Sequence, residues 1–332
     1  MIANAQRLHR FAHEAMNTTF EVVIAAEDAL YPQQASAAIF RQIDYLETLL
    51  SRFDPGSDIS QVNRLRPGQS VPVSLEAFEC LQLAATVFAE TGGAFDVTIG
   101  PLMNCVRAAK GEWSKVNEAD RAAARARMGM PRVVLNSKDF SVSVTGEVEV
   151  DLGALGKGYA LDKATEILPD WGIENALLCC GPSTALAIGS GGEPAGCPAG
   201  SKGWAVGVGG DWGETAGMEA VLLSGSAVSG SGTEGQGQHI LDPRMAAPTD
   251  HHRAAWAIAP TAALSDALST AFMIMSTTEV KAYCRAHPEV TALVVERRRG
   301  VLKMFKDKVV ATPGFAACKV QGRVMDIAPV VR

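Results

Sequence analysis

The chain has 332 residues, of which 47% are hydrophobic and 20% are charged, a composition typical of a folded globular protein rather than a fibre or a disordered tail. With 36 acidic and 30 basic side chains, the formal net charge is −6, which argues against a general binder of nucleic acid or of anionic membranes. The length allows one large domain or two modest ones, with a sizeable core.

Strands and helices are predicted in chain order from hydrophobic periodicity and from start and stop signals. In the first half these are a strand at 20–25, helices at 33–50, 75–91 and 118–128, and strands at 132–135, 140–145 and 148–152. In the second half they are helices at 158–168 and 264–275, and strands at 175–180, 204–208, 219–223, 255–259 and 291–295.

This mixture lacks a regular strand-helix-strand alternation and therefore favours the α+β class over a doubly wound parallel sheet. No internal repeat is found. We treat residues 1–332 as a single unit, with a division into two lobes expected near residues 170–200.

The sequence predicts a cytoplasmic protein. His9, Arg10 and Glu14 interrupt the apolar run of about 7–15 residues that a signal peptide needs, and no run approaches the roughly 18 residues that span a bilayer. The seven cysteines are odd in number and include no Cys-x-x-Cys pair, so neither a disulfide framework nor a zinc site is indicated. Removal of a leader would change this prediction to the periplasm.

A glycine-rich turn is predicted where a strand leads into a helix, at Leu152–Tyr159 (LGALGKGY). Glycines allow backbone N–H groups to approach a phosphate closely, and the start of a helix and Lys157 add positive charge. The segment matches neither the dinucleotide nor the P-loop fingerprint. From its residues alone it is either a phosphate site or a tight structural turn.

Asp266 and Thr270 are four residues apart on a predicted helix and therefore share one face. A carboxylate and a hydroxyl are hard oxygen ligands, which suit Mg²⁺. The alternative is that Asp266 caps or hydrogen-bonds a neighbouring loop.

Two further segments carry chemistry. His239 stands before two aliphatic residues and a proline turn, and it is either a general base or a structural histidine. Thr91–Leu102 (TGGAFDVTIGPL) is too rich in glycine for a strand and too apolar for a free loop. This segment predicts a wall against which a flat ligand can lie.

Seven motifs, in order, resemble the ApbE family of FAD:protein FMN transferases over about residues 15–275. They are Met16–Phe20 (MNTTF), Leu50–Phe53 (LSRF) with Asp58, Ile59, Ser60 and Asn63, Gly92–Leu102, Asp151–Asp162, Ala227–Gly232, His239–Pro243 and Ala263–Thr270. Agreement of seven spaced motifs by chance is implausible.

The resemblance implies a two-lobed α+β protein with the flavin in a cleft between the lobes. It implies Mg²⁺-dependent transfer of FMN from FAD to a threonine hydroxyl of an acceptor protein, with release of AMP. The implied partners are FAD and an acceptor flavoprotein that carries the target threonine.

The resemblance also implies roles for individual residues. Those implied to contact FAD are Met16 and Phe53 beside the isoalloxazine, Ala94, Phe95 and Asp96 at the adenine side or the ring edge, Gly153 and Tyr159, and Ile240 or Leu241 closing over it. The implied metal ligands are the carbonyls of Gly156 and Ala263, the Asp266 carboxylate and the Thr270 hydroxyl. For phosphoryl transfer, the implied groups are Lys157 to neutralise charge, His239 to accept the proton, and Asp162 as the alternative base or an orienting carboxylate.

The sequence departs from the family pattern at three places. Met245-Ala246 stands where Thr-Gly usually follows the Asp-Pro motif, Cys180–Ser183 (CGPS) replaces a Gly-Gly-Asp-like turn, and Gly230 replaces the threonine of a Thr-Ser-Gly turn. These positions are expected at the rim that meets the acceptor, so FAD and metal binding are better supported than transfer.

Two other functions fit the same residues. One is a FAD-binding or flavin-delivering protein that does not modify a partner. The other is an Mg²⁺-dependent FAD pyrophosphatase, in which water replaces the threonine and FMN and AMP are released.

Overall fold

The computed structural model describes residues 7–192, 200–208, 219–233, 240–296, 308–311, 317–319 and 325–327. The strands are β1 (Arg7–Ala15), β2 (Thr18–Ala26), β3 (Ser70–Pro72), β4 (Val133–Asn136), β5 (Ser141–Val144), β6 (Ala176–Cys180), β7 (Thr184–Ile188), β8 (Trp204–Val208), β9 (Glu219–Leu223), β10 (Ser226–Gly232), β11 (Leu241–Asp242), β12 (Ala247–Pro248), β13 (His252–Ala259), β14 (Thr291–Glu296), β15 (Lys308–Ala311), β16 (Ala317–Lys319) and β17 (Met325–Ile327). The helices are α1 (Leu30–Leu50), α2 (Asp58–Val62), α3 (Leu75–Glu90), α4 (Gly100–Ala108), α5 (Glu118–Ala126), α6 (Gly156–Thr165), α7 (Ala262–Ile274) and α8 (Thr277–Ala286).

An eight-stranded antiparallel sheet forms the centre of the molecule, in the order β1-β2-β6-β7-β10-β13-β14-β15. A smaller sheet, β16-β9-β8-β17, packs on one of its faces, and helices α1, α3, α6 and α7 pack on the other. Strands β3, β5 and β4 form a separate three-stranded sheet, and β11 pairs with β12 as a hairpin. The α+β class predicted from the sequence is confirmed.

The central strands are apolar at successive positions because both faces of the sheet are buried. In β2, Val22 and Ile24 point into the core beneath the helices, whereas Val23 and Ala25 point into the core shared with the smaller sheet. Successive side chains of a strand alternate between its two faces, so two cores require apolar residues throughout.

Helices α6 and α7 approach each other closely at their N-terminal ends. A Cβ atom on Gly158 would lie 2.3 Å from the carbonyl oxygen of Ala262, so only glycine allows this approach. In the same region the carboxylate of Asp162 accepts hydrogen bonds from the backbone N–H groups of Ala262 (2.7 Å) and Ala263 (2.9 Å). These bonds satisfy N–H groups at the first turn of α7, which have no partner within the helix.

Most of the predicted elements are confirmed, with their ends shifted by a few residues. The predicted cap of α3 is observed, since the Ser74 hydroxyl accepts from the Ala77 N–H at 3.2 Å. Strands β6 and β7 fall within residues 170–200 and lie next to each other in the central sheet. The division into two lobes there stays a prediction.

The prediction of a strand at 148–152 is wrong, since this segment belongs to no sheet. Its backbone is bonded to single groups rather than to a neighbouring strand: the Asn63 side chain accepts from the Val150 N–H at 2.6 Å and donates to the Val150 carbonyl at 3.0 Å. The Glu149 carbonyl accepts from the N–H of Gly100. The apolar residues Val148, Val150 and Leu152 are buried in the core beneath the helices, and Asp151 and Leu152 line the pocket described below.

Several observed elements were not predicted, among them β1, α4, β7, β10 and α8. Strand β1 lies at the edge of the sheet, with charged residues on its exposed face, and therefore lacks a strong apolar signal. Helix α8 begins with a capping box between Ser276 and Glu279, a Ser-x-x-Glu pattern that could have been found in the sequence. Within the described residues, no helix combines the length and apolar character needed to cross a bilayer.

We expect Gly158→Ala to lower the free energy of unfolding by about 1–3 kcal/mol, because the added methyl group forces α6 away from α7. The measurement is equilibrium unfolding in guanidinium chloride. The control is Gly56→Ala at an exposed position, where the new Cβ meets only the side chain of Asp54 at 3.3 Å and a change within about 0.5 kcal/mol is expected. Equal stability of the two variants would contradict this account of the contact between the helices.

Candidate functional site

A pocket of about 470 Å³ opens beside the helical face of the central sheet. Its walls come from the β1–β2 turn, the end of α1, the segment before α4, the turn before α6, the end of β10, the β11–β12 hairpin and α7. The predicted site residues that line it are Met16, Phe53, Ala94, Phe95, Asp96, Gly153, Gly156, Lys157, Ile240, Leu241, Asp266 and Thr270.

Met16 enters the pocket from a tight turn between β1 and β2. Ala15 pairs with Thr18, and the two residues between them have positive φ angles, 49° for Met16 and 57° for Asn17. These angles correspond to the two-residue turn whose twist suits a hairpin. A non-glycine residue in this conformation is strained, and such strain is typical of functional positions.

Phe53 is an exposed aromatic ring at the pocket wall, with 67% of its surface accessible. The guanidinium carbons of Arg52 and Arg107 lie 5.5 and 5.4 Å from its centroid. Both guanidinium groups donate to the same oxygen of Asn104, each at 3.1 Å, which places them together on one side of the ring. The other side is left for a planar ligand.

A network of charges lies behind this ring. The side chain of Arg52 is only 8% exposed and donates to Asp151 at 2.6 Å and to Glu149. Asn104 donates to both carboxylate oxygens of Glu149, at 2.9 and 2.7 Å. Arg107, which is 45% exposed, reaches Asp151 at 3.5 Å. The network joins the end of α1 to α4 and to the segment before α6.

The same Asp151 shapes the glycine turn. Its second oxygen accepts from the Gly153 N–H at 2.9 Å, and the Gly153 carbonyl accepts from the ammonium of Lys157. The Leu152 carbonyl accepts from the N–H groups of Leu155 and Gly156 and begins α6. The turn, the helix start and the buried Lys157 therefore line the pocket, and the phosphate site stays a prediction.

Asp266 carries an oxygen atom that has no hydrogen-bond partner among the described residues. This Oδ2 is buried, and the nearest cation in the described part of the chain is the Lys157 ammonium at 3.8 Å. Thr270, one turn later on α7, lines the same pocket and lies 3.4 Å from the Ser231 hydroxyl. A buried polar atom without a partner destabilises a fold, so this oxygen marks a position where a ligand can bind.

Asp96 is buried at the start of the 97–99 turn. One of its carboxylate oxygens accepts from the backbone N–H of Thr98 at 2.8 Å and from the Thr98 hydroxyl at 2.6 Å. Burial raises the pKa of Asp96, and these hydrogen bonds oppose that rise. The residue therefore holds the backbone of the wall segment in place as well as lining the pocket.

Three described residues that were predicted for the site, Tyr159, Asp162 and Ala263, lie outside the pocket lining. The Tyr159 hydroxyl donates to Glu79, and burial raises the pKa of Tyr159 well above its usual range. Asp162 holds the N–H groups of Ala262 and Ala263, and burial raises its pKa to about 6. Because both oxygens of Asp162 accept from N–H groups at the first turn of α7, the geometry favours the orienting carboxylate, one of the two roles expected for this residue, over the alternative base. His239 lies outside the described residues.

The departure at Gly230 has a structural cause. The segment containing it is the end of strand β10 and not a turn, and Gly230 pairs with Trp256 of β13. A Cβ atom at this position would lie 2.7 Å from the indole nitrogen of Trp256, which is fully buried. A threonine is therefore excluded by the tryptophan ring beside it.

The departure at Met245-Ala246 lies in the β11–β12 hairpin. Ala246 has a φ of 48°, a conformation that glycine adopts most easily, so the backbone keeps a glycine-like turn without glycine. Arg244 anchors the hairpin: it forms a fork with Asp242 at 3.1 Å for each bond and reaches the Ile274 carbonyl at 3.1 Å. At the remaining departure, the CGPS turn at Cys180–Ser183, Ser183 lines the pocket.

Among the lining residues to which the sequence assigned no role are Arg52, Arg107, Asp151 and Ser231. Arg52 and Asp151 stand inside two of the recognised motifs, but nothing in the sequence indicates that they pair across 99 positions. Within the described part of the chain, no group of three or more His, Cys, Asp or Glu side chains could hold a metal. A cation here would depend on Asp266 together with hydroxyl and carbonyl oxygens.

Comparison with known proteins gives one consistent family. The model of the ApbE family matches residues 16–294. A curated FAD:protein FMN transferase of Klebsiella pneumoniae (strain 342) is 26% identical over 303 residues, covering 86% of this chain and 84% of that protein. One from Escherichia coli (strain K12) is 26% identical over 294 residues, covering 82% and 80%.

Solved structures show the same fold. The crystal structure of the Pseudomonas stutzeri flavinyl transferase ApbE in its apo form superposes with a TM-score of 0.80 at 23% identity, covering 95% of this chain and 97% of that one. The ApbE protein of Thermotoga maritima gives a TM-score of 0.76 at 23% identity, covering 93% and 98%.

We expect Arg52→Met to lower the free energy of unfolding by about 2–4 kcal/mol, because it leaves Glu149 and Asp151 mostly buried without their cation. The control is Arg10→Met, which breaks an exposed ion pair with Glu21 at 3.5 Å and should cost less than about 1 kcal/mol. Urea unfolding of both variants tests this, and a loss no larger for Arg52→Met than for Arg10→Met would contradict it.

Proposed function

This chain belongs to the ApbE family, and we propose that it is an Mg²⁺-dependent FAD:protein FMN transferase. It would move the FMN part of FAD onto a threonine hydroxyl of an acceptor protein and release AMP. The observation that carries the proposal is one pocket lined by an exposed aromatic ring, a glycine turn at a helix start and a buried carboxylate oxygen that has no hydrogen-bond partner among the described residues.

The dimensions of the pocket support a dinucleotide substrate. Its volume of about 470 Å³ lies in the usual range for small-molecule and cofactor sites. Phe53 and Met16 offer apolar surface to the isoalloxazine at one wall, while the start of α6 and the Lys157 ammonium offer positive charge to phosphate at another.

The charge of the pocket supports a requirement for a cation. Its lining contains four acidic side chains, Glu47, Asp96, Asp151 and Asp266, and three basic ones, Arg52, Arg107 and Lys157. Arg52 is already paired with two carboxylates. A pyrophosphate adds negative charge to this balance, so the site needs further positive charge.

The residues present fit Mg²⁺. The unpartnered oxygen of Asp266 and the hydroxyl of Thr270 are hard ligands on one helix face, and Gly156 lines the same pocket with its backbone. Ala263 lies on the first turn of α7, where its N–H is held by Asp162. When bound, the metal would neutralise charge on the non-bridging phosphate oxygens.

The proposed reaction is a substitution at the phosphorus that carries the flavin side of FAD. A bond forms between the threonine Oγ and this phosphorus, the bond to the bridging oxygen breaks, and AMP leaves with the electron pair. Lys157 would stabilise the charge that develops, and the position of its ammonium at the glycine turn, held by the Gly153 carbonyl, supports this role. The hydroxyl proton would pass to His239, which stays a prediction.

The test is to incubate the purified protein with FAD and Mg²⁺ and to measure AMP, with and without a protein known to accept FMN on a threonine. We expect AMP only with the acceptor, and a flavin covalently attached to it. Substitution of the acceptor threonine by alanine should abolish both signals. AMP without acceptor would indicate a pyrophosphatase, and FAD binding without AMP would indicate a flavin carrier.

We expect Asp266→Asn to abolish the stabilisation of the protein by Mg²⁺ and to reduce AMP release at least a hundredfold, because it replaces an anionic ligand by a neutral one. Melting temperatures with FAD, with and without Mg²⁺, give the first readout without any turnover. Asp170→Asn, at an exposed position outside the pocket, is the matched control and should respond to Mg²⁺ like the native chain. An Asp266→Asn variant with unchanged Mg²⁺ response would make Asp266 structural.

A further inference from the structure

The three cations of the pocket differ in how fully their charge is satisfied. Arg52 is buried between Glu149 and Asp151, and Lys157 is buried against the Gly153 carbonyl and Asp266. Arg107 is 45% exposed and makes one hydrogen bond of 3.1 Å to an amide oxygen and one contact of 3.5 Å to a carboxylate already used by Arg52.

A guanidinium group has five N–H donors, and within the described part of the chain Arg107 uses two. The others are available at the pocket wall, which Arg107 lines. Such a fork matches a phosphate, to which it can donate two parallel hydrogen bonds. Arg107 is therefore the lining cation with the most capacity for an anionic ligand.

The position of Arg107 selects which part of a ligand it can reach. On one side its guanidinium lies 5.4 Å from the centre of the Phe53 ring. On the other it shares the carboxylate of Asp151 with the Gly153 N–H, which belongs to the glycine turn. In FAD, the phosphate on the flavin side lies between the ring system and the second phosphate.

We propose that Arg107 binds the flavin-side phosphate of FAD and makes the pocket select phosphorylated flavins over riboflavin. This rests on the proposed function, in which FAD is the substrate. The guanidinium exchanges its long contact with Asp151 for the phosphate, while Arg52 keeps Asp151 and the turn in place. The phosphate it holds is the one that the acceptor hydroxyl attacks.

The test compares the binding of FAD, FMN and riboflavin to the native protein and to Arg107→Met by fluorescence titration at a fixed Mg²⁺ concentration. We expect Arg107→Met to weaken FAD and FMN about tenfold and to leave riboflavin within about twofold, because only the first two carry the phosphate. Arg107→Lys, which keeps the charge without the fork, should fall between the native protein and Arg107→Met for FAD and FMN.

The matched control is Arg121→Met. Arg121 also lies over an aromatic ring, 5.2 Å from the centre of Trp113, but outside the pocket lining, so its loss changes the net charge equally and should leave all three affinities unchanged. Raising the salt concentration should weaken FAD binding more in the native protein than in Arg107→Met.

Equal weakening of all three flavins in Arg107→Met would overturn the assignment and place Arg107 against the ring system. FAD affinity equal to that of the native protein would also overturn it. The proposed function fails separately, when the native protein binds FAD but transfers no FMN to an acceptor. In that case the difference between FMN and riboflavin still decides the role of Arg107.

Discussion

Two arginines and a backbone amide converge on the carboxylate of Asp151, and this group sets the distance between the aromatic and glycine-rich walls of the pocket. Through Arg52 it fixes the end of α1, and through Gly153 it fixes the turn that begins α6. A charge held this way inside a protein is stable only while its partners stay in place. The network therefore makes the two walls one rigid unit and leaves Phe53 exposed beside it.

The opposite wall depends on how α6 meets α7. The absence of a side chain at Gly158 brings the helices together, and the carboxylate of Asp162 captures the first N–H groups of α7. Asp266 lies one turn further along α7, so its position relative to Lys157 follows from this junction. Asp162 has a raised pKa, which is common among groups at functional sites. Its two oxygens nevertheless accept from backbone N–H groups, so it holds the backbone rather than a ligand.

Local patterns in the sequence predict much of this fold, since α1 and α3 carry helical periodicity, α7 is apolar along most of its length, and the inner strands are apolar on both faces. They fail where long-range contacts decide the structure. Residues 148–152 have the composition of a strand, yet they bond to Asn63, which is distant in sequence. The motifs identified most of the pocket lining. Arg107 was missed because its importance comes from neighbours at positions 53, 104 and 151 and from no local pattern.

Metal and dinucleotide binding should be interdependent in this pocket under the proposed function. The Lys157 ammonium lies 3.8 Å from Asp266 Oδ2, beyond hydrogen-bond distance, so it offsets the charge of that oxygen without satisfying it. A divalent cation can satisfy it directly and also reduce the repulsion between the acidic lining and a pyrophosphate. Thermodynamic linkage then requires that the dinucleotide raise the affinity for the cation by the same factor as the cation raises the affinity for the dinucleotide. Lys157 offsets the charge of this oxygen at a distance whereas a cation would coordinate it, so neither replaces the other.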